Sequence, residues 1–566
     1  MARPPNVSSP GYSLVRRGDQ RLSQFPTKEG ARGRSVAAGA VLLIAAFLIF
    51  FRLDQRLLWV DEAETALLAR NILTYGVPKA YDGKTLISQE ASREFSADYV
   101  WRWTPWLEKY LAAASFGVLG ESTLTARLPF ALLGFLSVVS VYFCALAWFR
   151  DRWVGVLAMA FLTFSVPFLL QVRQCRYYGL SIFTSIWVLY FFMALVRGRR
   201  GATLGLTVAL TALFHSNCLT AIAVGVALVP CALCLGLDRR VWRQAALAAA
   251  GVIVLNLPWV LYSHMLSQGG ERLQSFAENL HAYAELTSRY TFPVAALAVF
   301  LMLAWLLRGS HALLDADTWR PFLALLVLMV VDVVVLSAAP WSFYRWSINL
   351  LPLAAVLLAF MCCGVVRWHP LVGGVFSVCL LFTGILHQAS AWPLTATKYK
   401  LAAEGRSFPL FDTYFPLGNY LHEVTHPFVG PMEGLLQLLT EQARPDDRIF
   451  ISYGDLVLKF YTAHEVRGGQ SGQTLKGWPE PEWLIIRSFV RFGKLQALKA
   501  DYENMLAWLN NDVPRQDYES VPAPWVDGPS DNIAEPQLHW YRVPEQGEQM
   551  QVFRRGLPLP TPPAAP

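Results

Sequence analysis

Residues 57–76 read LLWVDEAETALLARNILTYG. Three carboxylates, Asp61, Glu62 and Glu64, stand here directly after the first hydrophobic run of the chain. Removing an ionised side chain from water is costly, so acids placed where a chain leaves a membrane need a reason. One reason is a helix start. Asp61 with Glu64 three residues later has the form of a capping box, and the acids favour the positive end of the helix they open. The other reason is position. A carboxylate at the boundary between hydrocarbon and outer water can take a proton from a polar acceptor while a second substrate stays in lipid. The residues alone leave both readings open.

The composition around this stretch belongs to a polytopic α-helical membrane protein. Over 566 residues, 54% are hydrophobic and only 16% charged, against about a quarter charged in soluble proteins. The net charge of +7 is concentrated at the start, where Arg3, Arg16, Arg17, Arg21, Lys28, Arg32 and Arg34 face only Asp19 and Glu29. Residues 1–35 are therefore expected to form a disordered basic tail held in the cytoplasm, without a motif for nucleic acid. The polar lead before Val36 is too long for a cleavable signal peptide. Cys231 and Cys234 have zinc-like spacing but lie in an apolar run with no His or second pair, so they read as small buried residues, and neither a disulfide nor a metal is assigned to them.

A helix needs about 20 apolar residues to cross a bilayer. Such runs occur at 36–53, 127–149, 153–171, 177–196, 201–215, 218–237, 244–264, 291–307, 321–339, 347–366 and 370–392. The run 105–120 is too short and contains Glu108 and Lys109. With that run left on the outer surface, the arginine-bearing loops 149–153, 197–201, 237–243, 306–320 and 366–370 all share the side of the basic tail, as the positive-inside rule requires. The reading is about eleven spans in a membrane domain 36–392, with 54–126 as an outer catalytic loop. Residues 393–555 follow as an extracytoplasmic α/β domain, with strands in DDRIFISYGDLVLKFYTA, PEWLIIRSFV, LHWYRV and MQVFRR and a helix in KLQALKADYENMLAWLNN. Residues 556–566 are a Pro-rich end that lacks packing residues.

Cations gather on the same outer side. Arg102 lies in VWRWTPW (100–106), Arg127 heads the second span, Arg173 and Arg176 flank Cys175, Arg272 and His281 lie in 265–290, and Arg345 lies in PWSFYRWS. Singly, each reads as an arginine snorkelling at the interface. Together they exceed what the positive-inside bias allows on an outer face, and they suit a leaving group that is an anion in the membrane, such as a lipid phosphate.

The order of LWVDEAETALLARNIL, TPWLEKYLAAASFGVLGESTLTARLPFALLG, RQCRYYGL and YRWSINLLPLAAVLLA resembles the polyprenyl-phosphate-sugar-dependent glycosyltransferases of the GT-C fold, in the protein O-mannosyltransferase and aminoarabinose transferase group, family 39. The resemblance spans roughly 36–366 and is weak in the tail. It implies a single inverting displacement of a sugar from a polyprenyl phosphate to the hydroxyl of a protein, lipid or glycan acceptor, at the outer face of an inner (plasma) membrane. Asp61 matches the general base and Glu62 its companion, which orients the acceptor or helps hold a divalent cation. Arg127 matches an arginine at the end of the loop. Arg173, Arg176 and Arg345, with Tyr177 beside them, fall where lipid phosphate would bind. The chain departs from the pattern at Arg102-Trp103-Thr104-Pro105, where relatives often carry Glu-Lys-Pro or His-Pro-Pro. Trp103 and Thr104 thus carry no expected ligand role, and Arg102 stands in for the lysine charge.

Two rivals remain at this stage. A secondary transporter is supported by Asp332, an acid deep in a span that would otherwise bond a neighbouring helix near His215 or Asn217, but internal repeats and paired broken helices are not visible. A polymerase or ligase using lipid diphosphates shares the outline without needing the Asp-Glu pair.

Overall fold

The computed structural model describes residues 28–268, 272–307, 316–394, 416–488, 496–528 and 532–556. Most of the expected basic tail (1–27), the middle of the loop 306–320 (308–315) and the Pro-rich end from 557 lie outside the described residues.

The chain is a multi-pass membrane protein. Helices α1 (Lys28–Phe50), α4 (Thr123–Phe149), α7 (Tyr178–Val196), α9 (Cys218–Leu235), α10 (Arg239–Tyr262), α13 (Ala316–Leu336) and α14 (Leu350–Trp368) are each long and apolar enough to cross a bilayer. Three bent pairs are long and apolar enough only when each is taken together: α5 (Arg152–Phe164) with α6 (Val166–Val172), α11 (Phe276–Tyr290) with α12 (Val294–Leu306), and α15 (Pro370–Phe382) with the segment 385–394 that contains α16 (Ile385–Ala391), at angles of 69°, 71° and 72°. Among the described residues that makes seven to ten spans by length and composition, where eleven are expected.

The difference is α8 (Ala202–Ser216), whose 15 residues reach only about 22 Å at 1.5 Å per residue. It still runs back along the whole of α7, because Ser216 hydrogen-bonds Ser181 and the Tyr177 carbonyl at the start of that helix. The order of the helix ends is therefore the one the sequence implies. Arg197 donates to the Trp148 carbonyl and Arg367 pairs with Asp151 at one end of the bundle, while the Asp61 loop lies at the other.

Helix α1 starts at Lys28 rather than Val36, so residues 28–35 are helical and not part of a disordered tail. A helix satisfies its backbone polar groups internally and can continue past the hydrocarbon while its arginines reach water. At the centre, α14 has 89% of its apolar window buried, whereas α1 and α10 have 17% and 11% and present Leu and Val outward, which suits lipid contact.

Two helices lie beyond the first span. Helix α2 (Val60–Tyr75) carries the acidic stretch and is buried over most of its length. Helix α3 (Leu107–Leu119), the run left on the surface in the sequence reading, packs against α2, with Tyr110 bonded to the Gly76 carbonyl and Ser115 to that of Thr125.

The tail folds around a five-stranded sheet of order β2-β1-β3-β5-β4. Its strands are β1 (Arg448–Ile451), β2 (Glu465–Gly468), β3 (Trp483–Ile486), β4 (Tyr518–Val521) and β5 (Gln551–Arg555), and β1 is parallel to both its neighbours. The central strands β1 and β3 are buried on both faces, which is why they read as continuous apolar runs. Helices α17 (Pro416–Thr425), α18 (Pro431–Gln442), α19 (Asp455–Tyr461) and α20 (Gln496–Asn511) complete this part. LHWYRV is not a strand. Its polar groups bond elsewhere instead: Arg56 donates to the Trp540 carbonyl at 2.9 Å, and His539 meets Glu423 of α17 at 2.8 Å.

Candidate active site

Helix α2 opens at Val60 with Trp59 as its N-cap, and the Trp59 N–H donates to Glu62 Oε2 at 3.3 Å. Glu62, not Asp61, therefore closes the first turn, and the capping-box reading of Asp61 does not hold. The Asp61 carboxylate is directed elsewhere. Its Oδ2 lies 2.5 Å from Arg345 Nη1 and 3.8 Å from Arg176 Nη2.

Glu62 is fully buried and saturated. Arg127 grips it with two bonds, Nε to Oε1 at 2.8 Å and Nη2 to Oε2 at 2.7 Å, and the Cys175 N–H adds a third at 2.7 Å. With Trp59 these four donors use the roughly four lone-pair positions of a carboxylate. Arg127 is occupied in turn, donating to the carbonyls of Leu53, Arg56 and Leu57, each at 2.9 Å. The pair pins the link between α1 and α2 to the head of α4. A divalent cation does not fit here, because Glu62 has no oxygen free for it. Among the described residues no group of three or more His, Cys, Asp or Glu is arranged to hold a metal.

Arg176 joins the remaining acids. Its Nη1 donates to Glu64 Oε1 at 2.8 Å, Thr65 Oγ1 at 2.9 Å and the Asp61 carbonyl at 3.1 Å, and Gln89 holds the other Glu64 oxygen at 2.7 Å. Tyr177 packs beside it, the guanidinium 5.8 Å from the ring centre. Arg345 sits over the Phe343 ring at 4.4 Å, with Asp61 on one side and Glu535 Oε1 3.8 Å from its Nε on the other. Burial opposes the charge of both arginines, but the adjacent carboxylates outweigh it and hold both pKa values above the ordinary range. Asp61, Glu62, Glu64 and Glu535 thus interlock with Arg127, Arg176 and Arg345. Each of the three guanidiniums is already paired with a carboxylate.

Other expected site residues lie apart from this cluster or are committed elsewhere. Arg173 caps the first span, its guanidinium donating to the carbonyls of Leu48, Ile49, Phe51 and Arg52 at 2.9–3.2 Å. Arg102 lies 5.0 Å over the ring of Tyr262 at the end of α10. Arg272 is exposed and bonded to the Ala338 carbonyl, and His281 is exposed on α11. Asp332 is fully buried and bonded by Asn349 Nδ2 at 3.1 Å, so its partner is the residue before α14 and neither His215 nor Asn217.

Glu535 is the site residue that sequence reasoning missed. It comes from the tail, in a stretch held against the membrane domain by Gln171 to the Ala534 carbonyl (2.8 Å), Gln174 to the Asn532 carbonyl (2.8 Å) and Asn532 to the Leu57 carbonyl (2.9 Å). No local signal marks it, because an acid in NIAEPQLHW looks like any loop carboxylate. A cleft of about 430 Å³, partly open to solvent, lies on the Arg127 side of the cluster between the end of α1 and this stretch, lined by Arg52, Arg56, Arg173, Glu423 and His539 among others; Asp61 does not line it.

The sequence matches no protein-family model and no curated protein. Among solved structures the chain is similar to ArnT from Cupriavidus metallidurans bound to undecaprenyl phosphate, with a TM-score of 0.51 and 16% identity over 92% of this chain and 98% of that one. The apo state of ArnT from Cupriavidus metallidurans gives a TM-score of 0.50 at the same identity and coverage. At such identity the likeness is one of fold, and the chain has the GT-C fold.

Proposed function

We propose that the chain is an inverting glycosyltransferase of family 39 that moves a sugar from a polyprenyl phosphate to an acceptor hydroxyl on the extracytoplasmic side. In this reading 36–392 is the membrane domain, 54–126 its outer catalytic loop and 393–555 an extracytoplasmic domain. The observation that carries it is the Asp61–Arg345 contact of 2.5 Å just beyond the first span. A potential base and a potential phosphate ligand are adjacent there, in a fold shared with an ArnT structure bound to undecaprenyl phosphate.

Before donor binds, the Asp61 carboxylate is occupied by Arg345, with Arg176 close by. The lipid phosphate, being the richer acceptor, draws Arg345 from Asp61, and Asp61 then accepts a proton. The acceptor oxygen then attacks the anomeric carbon from the face opposite the phosphate. The new C–O bond forms as the bond to phosphate breaks, the phosphate oxygen leaves with the electron pair, and the hydroxyl proton passes to Asp61. Arg345 stabilises the charge building on the leaving oxygen. Glu62 and Arg127 hold the loop in place without touching substrate, and no step passes through a metal.

The test is mass spectrometry of lipid-linked sugars and glycans in a deletion strain carrying either the wild-type gene or Asp61→Asn. The reading requires a polyprenyl-phosphate sugar to accumulate and an acceptor to lose one residue, with rescue by wild type alone. Rescue by Asp61→Asn would overturn it.

A further inference from the structure

We infer that Glu535 is a positioning residue, a carboxylate supplied by the sheet-bearing tail that holds the Tyr344–Arg345 turn so that the Arg345 guanidinium faces Asp61 and, in the donor complex, the lipid phosphate. The inference rests on the donor-site reading above. Tyr344–Trp346 is a single 3₁₀ turn, and the N–H groups at its start have no partner within the turn. Glu535 takes both, Oε2 from Tyr344 at 3.0 Å and Oε1 from Arg345 at 3.3 Å. The same Oε1 lies 3.8 Å from Arg345 Nε, so one carboxylate fixes the backbone and one edge of the side chain. Phe343 bounds the guanidinium at 4.4 Å, and the Nη1 edge is left to Asp61.

A purely anchoring role does not account for this. The stretch 532–534 is already tied down by Gln171, Gln174 and Asn532 through neutral bonds to carbonyls. Glu535 is 1% exposed, and burying an ionised group is costly unless its partners need the charge. What Glu535 adds is contact with the turn and with Arg345, beside the bond its Oε2 accepts from Gln537 Nε2 at 3.2 Å. When a phosphate displaces Asp61 from Arg345, Glu535 keeps its hold, and the arginine moves by side-chain rotation over a fixed backbone.

The test is a double-mutant cycle on the full-length protein in detergent, titrated with undecaprenyl phosphate and followed by intrinsic tryptophan fluorescence. Glu535→Ala is expected to weaken binding about tenfold in the wild-type background and less than about twofold in Arg345→Ala. Glu535→Gln keeps the volume and one acceptor oxygen but drops the charge. It should weaken binding about threefold with the same dependence on Arg345, and it carries the test should the alanine variant not fold. Equal weakening in both backgrounds would make Glu535 structural only, and wild-type affinity in both Glu535 variants would remove any role; either result overturns the inference alone. Wild-type affinity in Arg345→Ala would overturn the donor-site reading itself, and this inference with it.

Discussion

Asp61 and Glu62 are neighbours in the chain with divided tasks. Successive residues on a helix point about 100° apart, so Glu62 turns to Arg127 inside the protein while Asp61 faces Arg345 and Arg176. The division predicts opposite phenotypes. Arg127→Ala strands a fully buried carboxylate and should cost about 3–5 kcal/mol, seen as a lower unfolding temperature and poor recovery of folded protein. Asp61→Asn keeps an oxygen for Arg345 and should unfold close to the wild-type temperature, while sugar transfer falls by about 10²–10⁴-fold, the range of a lost general base. A variant pair with the two effects exchanged would reverse the assignment of the carboxylates.

Arg173 is bonded to the end of α1. A helix terminus leaves carbonyls without partners, and one guanidinium collects four of them here. Arg173→Ala should therefore lower stability by about 1–3 kcal/mol while, if the donor site is the Asp61–Arg345 pair proposed above, undecaprenyl phosphate binding stays within about twofold of wild type. Sequence could not separate these roles, since a guanidinium suits carbonyls and phosphates alike. What was legible had a local cause. Long apolar runs marked the membrane helices, Glu108 and Lys109 kept α3 out of the count, and β3, β5 and α20 stood where their patterns placed them. The strands β2 and β4 were missed because Glu465–Gly468 and Tyr518–Val521 are half-exposed and polar. LHWYRV was misread because the Trp540 carbonyl and the His539 ring are bonded to Arg56 and Glu423 instead of to a strand. Glu535 was hidden for the most general reason: its partner lies far away in the chain, and local periodicity carries no record of such contacts.

Two buried carboxylates, Glu423 between the tail and Arg56 and Glu94 within the outer loop, make the stability of the whole molecule depend on pH from two sides. Glu423 on α17 meets Arg56 at 3.1 Å and His539 at 2.8 Å. Burial alone would raise its pKa, but His539 and Arg56 prevail and bring it down to about 2. The folded form releases this proton more readily than the unfolded chain, so its contribution of about 3 kcal/mol is complete above pH 4.5 and lost as pH falls toward 2. Glu94, in the outer loop, goes the other way. Burial lifts it to about 7 against the opposing bonds from Gln89 and Ser88, with Glu64 adding to the rise. Here the folded form keeps a proton that the unfolded chain gives up near 4.5, so stability falls as pH rises from 4.5 through 7, again by about 3 kcal/mol. Thermal unfolding of Glu423→Gln and Glu94→Gln from pH 3 to pH 8 should show both slopes. Glu423→Gln should trail wild type at pH 6 and approach it at pH 3, while Glu94→Gln should gain on wild type between pH 5 and pH 8. Curves parallel to wild type over the whole range would mean that neither carboxylate titrates differently in the folded protein, and that the contact between tail and membrane domain is not held by charge.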